Sequence, residues 1–226
     1  MALYVCRLMI TCFCSVDLKG GAVIDQIKYA FLWLVTPFQK ALQRLGRQEA
    51  LINSDQVELI KSMIQPGDVG LSFEKGRLTS WAVRGFYDHA VIVTDILTVM
   101  EAVGDKFIDG KNIGGVREVA LDEWLYKKDS VCILRPIYKN TFIKTDPNQR
   151  ASKSAIKYHG KPYDYQFKKN NENVYCSELV YLCYFEHDPE FMQHIDGEIL
   201  PIHYYEQCFD STRDDMFIKM IIEVKN

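Results

Sequence analysis

The chain has 226 residues, 48% of them hydrophobic, which is enough to bury the core of one large domain and excludes a disordered protein. Its formal net charge of -3 at pH 7 provides no basic footprint for nucleic acid and does not favour an anionic membrane as the main partner. The seven cysteines are an odd number and include no CxxC pair at zinc-site spacing, so a reducing compartment fits better than a disulfide framework.

The first 65 residues are predicted to form a helical extension outside the catalytic core. Residues 1–16 are apolar, but Arg7 interrupts the run and no small-residue cleavage site follows, so a cytoplasmic or particle-associated protein is expected rather than an exported one. Apolar spacing predicts a helix over residues 22–50 with a basic second half. We favour a packed helix with a solvated basic face over the alternative, a helix that docks on a membrane surface or a partner.

Beyond the extension, strand-like patterns alternate with three further helices. The extension itself ends in a short helix, expected over 54–64, with Ser54 as its N-cap. Strands are predicted over 68–73, 87–94, 98–103, 114–119, 131–136 and 216–224. Helices are predicted over 121–126, 149–158 and 175–185. Helices followed by strands and then helices indicate an α+β fold, divided into an extension (1–65) and a catalytic domain (66–226).

Cys176 is the candidate nucleophile. It stands between a polar, loop-like stretch and an apolar helix, which places it at or near the helix N-terminus. There the backbone N–H groups and the helix dipole favour a thiolate, and the same groups can receive an oxyanion. The alternative is a buried structural cysteine, which is how we interpret Cys183, two turns further along the same face.

His89 and Glu101 are the candidate partners of that thiol. His89 begins an apolar strand, and a histidine there either reaches out of the sheet edge or pairs with the adjacent Asp88. A carboxylate such as Glu101 within an apolar strand is costly unless it is paired. If the hairpin turn centres on Asp95, Glu101 and His89 face each other directly and form a base with its orienting acid. His159 is the rival base.

Five short motifs follow one another in an order that is specific to a known family. They are PGDVGL at 66–71, DHAVIV at 88–93, MEA at 100–102, GKPYD at 160–164 and YCSELV at 175–180. Together they resemble the permuted branch of the NlpC/P60 superfamily, the YaeF/YiiX-like papain-fold hydrolases, in which the histidine strand precedes the cysteine helix. The chain departs from the pattern at Asp88, where serine is usual, and a negative charge there should favour the protonated form of the base.

The resemblance implies a circularly permuted papain-like fold, with an antiparallel sheet packed against the nucleophile helix and extra N-terminal helices. It also implies Cys176 as nucleophile, His89 as base and Glu101 as the third polar residue, acting through an acyl-enzyme. No metal or other cofactor is expected, since the remaining histidines lack metal-site spacing.

Three further residues are candidates for substrate binding, each with a simpler structural interpretation. Asp68 either lines the site or caps a turn, Tyr163 either contacts substrate or braces the loop before the nucleophile, and Tyr175 either lends its hydroxyl or is a packed aromatic.

The resemblance also implies the kind of substrate. Members of this superfamily commonly cut amide bonds in cell-wall stem peptides, which makes a cysteine peptidase acting on peptidoglycan the leading hypothesis. A lipid-directed acyl hydrolase or acyltransferase on the same fold is the alternative, since apolar N-terminal helices could serve a membrane-bound substrate. A non-catalytic module of a larger particle is the third hypothesis, and the complete set of Cys176, His89 and Glu101 argues against it.

Overall fold

The computed structural model describes most of the chain after residue 51. The described residues are 52–74, 85–105, 107–108, 111–126, 128–139, 146–168, 172–209 and 213–225. The predictions made for residues 1–16 and 22–50 lie outside them. Within the described ranges, no helix is both long enough and apolar enough to cross a membrane.

Within the described residues, six strands form one antiparallel sheet in the spatial order β6-β3-β2-β1-β7-β8. They are β1 (Val69–Phe73), β2 (His89–Asp95), β3 (Thr98–Val103), β6 (Gly115–Ala120), β7 (Ser130–Tyr138) and β8 (Met216–Lys225). Each matches a predicted strand to within two residues at either end. A small hairpin of β4 (Phe107–Ile108) and β5 (Lys111–Asn112) was not predicted, because two-residue strands carry no periodicity.

The helices of the described residues pack on both faces of this sheet. They are α1 (Ser54–Met63), α2 (Leu121–Leu125), α3 (Pro147–Ser154), a 3₁₀ turn (Ala155–Tyr158), α4 (Cys176–Phe185) and α5 (Pro201–Glu206). The helices predicted over 54–64, 121–126 and 175–185 are confirmed; that over 149–158 is present as α3 and the 3₁₀ turn, and α5 was not predicted. Proline at its first position was the sequence signal that could have revealed α5.

The N-cap of α1 is Asn53, so the prediction of Ser54 was wrong by one residue. The Asn53 side chain accepts a hydrogen bond from the Gln56 backbone N–H at 2.9 Å, and the Gln56 side chain accepts one from the Asn53 N–H at 2.9 Å. This reciprocal pair needs an amide or acid three residues after the cap, a position that Gln56 occupies for Asn53 and Val57 occupies for Ser54.

Two apolar clusters, one on each face, form the core. Leu179 and Cys183 of α4 pack with residues such as Ala90 of β2 on one face. On the other face, Ile60 of α1 is fully buried in a cluster that includes Val91. The expectation that helices before residue 66 lie outside the core therefore does not hold for α1, while the domain boundary itself stays a prediction.

Candidate active site

Cys176 is the first residue of α4, where the sequence predicted it. The preceding Tyr175 has an extended backbone, and the first i→i−4 bond of the helix runs from the Leu179 N–H to the Tyr175 carbonyl at 2.9 Å. The amides of the first turn therefore have no acceptor within the helix. They and the helix dipole place partial positive charge beside the sulfur, which favours a thiolate.

His89 is the first residue of β2 and contacts Glu101 of β3. The His89 Nε2 donates to Glu101 Oε2 at 3.0 Å, and both side chains are almost fully buried. Because Nε2 is bonded to the Glu101 carboxylate, Nδ1 is the ring nitrogen available to accept the proton of the Cys176 thiol. His89 is thus paired with Glu101 rather than with the adjacent Asp88, which was the alternative interpretation.

The predicted strand register, however, was wrong. Glu101 lies opposite Val91, not His89, because the turn lies at Ile96 and Leu97 rather than at Asp95; the register shift between Val93 and Asp95 then fixes this pairing. His89 and Glu101 are therefore diagonal neighbours. They still meet, because diagonal positions on one face remain within reach of long side chains.

Arg117 on β6 completes the cluster, and the sequence analysis missed it. It lies directly opposite Glu101 in the β3–β6 register. Its Nε and Nη2 both donate to Glu101 Oε1, at 3.0 and 2.6 Å, which leaves Oε2 for His89. The signal that could have found it was a cation within a predicted strand, but using that signal required knowing that β6 pairs with β3.

The charges of these groups favour a thiolate–imidazolium pair. Burial alone would raise the pKa of the Cys176 thiol, but the hydrogen bond and charge of His89 outweigh it, helped by the Ala90 backbone N–H, and the pKa is lowered. Burial alone would lower the pKa of His89, yet Cys176 and Glu101 raise it. Burial opposes ionisation of Glu101 as well, but His89 and then Arg117 lower its pKa to about 2.

Comparison with known proteins then decides the family. The family model described as permuted papain-like amidase enzyme, YaeF/YiiX, C92 family, matches residues 63–195, which is more than half of the chain. The chain belongs to this family. It is accordingly a papain-like cysteine hydrolase of the amidase type.

Other comparisons add little to that assignment. The crystal structure of metalloprotein yiiX from Escherichia coli O157:H7 is 18% identical to this amidase, and the match covers 71% of this chain and 89% of that chain with a TM-score of 0.45. No curated protein matches this amidase. Within the described residues of this amidase, no group of three or more His, Cys, Asp and Glu side chains could hold a metal ion.

The side chain of Asp68 is bonded to Arg135 and Gln65 rather than to a group of the active site. Arg135 donates to both of its carboxylate oxygens, at 2.6 and 2.7 Å, and the Gln65 N–H donates at 2.8 Å. Asp68 also pairs with Val93, at the opposite end of β2 from His89. It therefore closes the turn before β1, which was the simpler of its two interpretations.

Tyr163 and Tyr175 flank the segment that leads to Cys176. Tyr163 forms an isolated parallel bridge with Val174, so it braces this segment as expected. Tyr175 is buried, and its hydroxyl accepts from the Ile199 N–H at 3.1 Å. A contact of either tyrosine with substrate stays a prediction.

The rival base, His159, is exposed after the 3₁₀ turn. The charge that acts on the Cys176 thiol is that of His89.

Proposed function

We propose that this amidase hydrolyses a peptide bond in peptidoglycan stem peptides through an acyl-enzyme on Cys176. The observation that carries the proposal is the arrangement of Cys176 at a helix N-terminus with His89, itself bonded to Glu101 at 3.0 Å. A nucleophile, a base and an orienting acid in this order form the minimal set for acyl transfer. The cell wall is chosen because the sequence motifs resemble enzymes that cut stem peptides.

Each step then has an assigned group. The Cys176 proton passes to His89, and the thiolate attacks the carbonyl carbon of the scissile amide. The amides of the first turn of α4 receive the oxyanion. The C–N bond breaks as the amine leaves with the proton from His89, and a thioester remains on Cys176. Water, deprotonated by His89, attacks the thioester and releases the acid and the thiol.

A circular permutation of the NlpC/P60 type is part of the same proposal. Two features support it: the His89 strand comes before the Cys176 helix in the chain, and the buried residues of α4 share one core cluster with those of β2 and β3.

The test is mass spectrometry of cell-wall digests and lipid extracts after incubation with the wild-type protein, Cys176→Ala and Cys183→Ala. Cys183 lies on the same helix within the core, so its variant controls for the loss of a buried thiol from α4. We expect stem peptides split into two products whose masses sum to the substrate plus one water, with wild type and Cys183→Ala only. Products confined to the lipid extract would indicate the lipid-directed alternative, and identical products with Cys176→Ala would overturn the proposed nucleophile.

A further inference from the structure

We propose that Arg117 is a positioning residue of the active site: it holds the Glu101 carboxylate in place and makes the thiolate–imidazolium form of the site electrically neutral. The inference rests on the proposed role of Cys176 as nucleophile. It starts from the contact between the two side chains, in which two guanidinium nitrogens converge on the one carboxylate oxygen that His89 does not use.

The surroundings of Glu101 explain why it needs a cation. It faces Val91 across β2–β3, and Val99 lies two residues away on the same face; both valines are fully buried. An ionised carboxylate in such apolar surroundings is unstable unless its oxygens are paired. Arg117, opposite Glu101 on β6, satisfies Oε1 with two N–H groups and so holds that oxygen in place, which leaves Oε2 directed at His89.

A count of charges shows what Arg117 does for the reactive thiol. In the active form, Cys176 and Glu101 are negative, and His89 and Arg117 are positive, so the four groups sum to zero. Without Arg117 the buried set would carry a net charge of −1. A buried site relieves such a charge by taking up a proton, on the thiolate or on the carboxylate. The pH below which Cys176 becomes protonated should therefore rise.

Three further carboxyl groups lie close to this set. Glu123 approaches Arg117 Nη2 at 3.6 Å, but its side chain is 54% exposed and therefore largely screened. Asp88 precedes His89 in the chain, and Glu178 lies in the first turn of α4; both are buried. All three stay the same in the variants compared below, so their effects cancel in the differences.

The experiment measures the rate of Cys176 alkylation by iodoacetamide against pH, with Cys176 quantified by peptide mass spectrometry. The variants are Arg117→Gln and Arg117→Lys, with Arg213→Gln as a matched control. Arg213 is 15% exposed against 18% for Arg117 and also pairs with carboxylates, those of Asp188, Glu190 and Asp215, but it lies elsewhere. We expect the acid limb of the Arg117→Gln profile to move to higher pH by about one unit or more, so that alkylation on the limb is about tenfold slower. Arg117→Lys, which keeps the charge without the guanidinium, should shift it less, and Arg213→Gln should not shift it.

The outcomes separate this inference from the proposed function. A wild-type profile with a limb near the ~8.5 of a free cysteine would remove Cys176 as an activated nucleophile. A low wild-type limb that is unchanged in Arg117→Gln would overturn the role of Arg117, even if the variant hydrolysed substrate slowly. Should Arg117→Gln fail to fold, Arg117→Met, which also removes the charge, takes its place, and a limb that coincides with wild type overturns the proposal.

Discussion

Replacing Glu101 with glutamine should disable the base more severely than the loss of one charge suggests. The carboxylate accepts from two donors, His89 Nε2 on one oxygen and Arg117 on the other. An amide has a single oxygen, and Arg117 presents two N–H groups to it. The amide NH₂ then faces His89, whose Nε2 must become an acceptor. The ring proton would move to Nδ1, toward the thiol, where it blocks proton transfer from Cys176.

The size of the effect follows from the pKa of Glu101. The difference between about 2 in the folded protein and the ordinary 4.5 corresponds to a net stabilisation of the ionised carboxylate by about 3 kcal/mol, in which His89 and Arg117 outweigh the cost of burial. Loss of that stabilisation alone would lower kcat/KM by at most about 300-fold. The change of tautomer adds to it, and the same carboxylate-to-amide change in a serine-protease triad lowers kcat by about 10⁴. We therefore expect a decrease of about 10²–10⁴-fold.

The assay is stem-peptide hydrolysis, followed by release of the free amine, with Glu123→Gln as control. That side chain also approaches Arg117, at 3.6 Å, but it is exposed and contacts the guanidinium rather than His89. The control should retain at least half of wild-type activity. Equal activities of the two glutamine variants would refute the assignment of Glu101 as the residue that orients His89.

The same carboxylate affects the free energy of unfolding as a function of pH. Because its folded-state pKa lies below 4.5, ionised Glu101 stabilises the folded state above about pH 4.5, and this contribution is lost as the pH falls toward 2. Denaturation of wild type and Glu101→Gln should therefore show a difference in stability that shrinks in this window. A constant difference between pH 5 and 2 would contradict the lowered pKa.

Three further outcomes are expected. Iodoacetamide at neutral pH should label Cys176 before Cys183, since burial raises the pKa of the latter, and the reverse order in the folded protein would contradict the thiolate. Ile60→Ala should lower the free energy of unfolding by about 2–5 kcal/mol in urea denaturation. The control Leu59→Ala, at a side chain that is 50% exposed, should change it by less than about 0.5 kcal/mol. Equal effects of the two substitutions would show that α1 is not part of the core. Asp68→Asn should lower the free energy of unfolding by about 3–5 kcal/mol, because it leaves the Arg135 guanidinium without its charge partner. The same substitution should leave the pH profile of Cys176 alkylation unchanged.

The sequence predicted the strands of the main sheet and most of the described helices, because the signals for these elements are local. Alternating and continuous apolar runs predicted all six strands of the sheet, and the change from polar to apolar residues placed Cys176 at the start of α4. The cost of a carboxylate in an apolar strand marked Glu101 as a residue that needs a partner. None of these inferences depends on how the strands are arranged in space.

Only the tertiary structure decided which side chains complete the site. The irregularity between Val93 and Asp95 set the register that makes His89 a diagonal neighbour of Glu101. The pairing of β6 with β3 brought Arg117 to the same carboxylate, and the pairing of β1 with β7 is what lets Arg135 reach Asp68. Each of these contacts joins residues on different strands, and strand order and register are settled by packing of the whole sheet, which local periodicity does not encode.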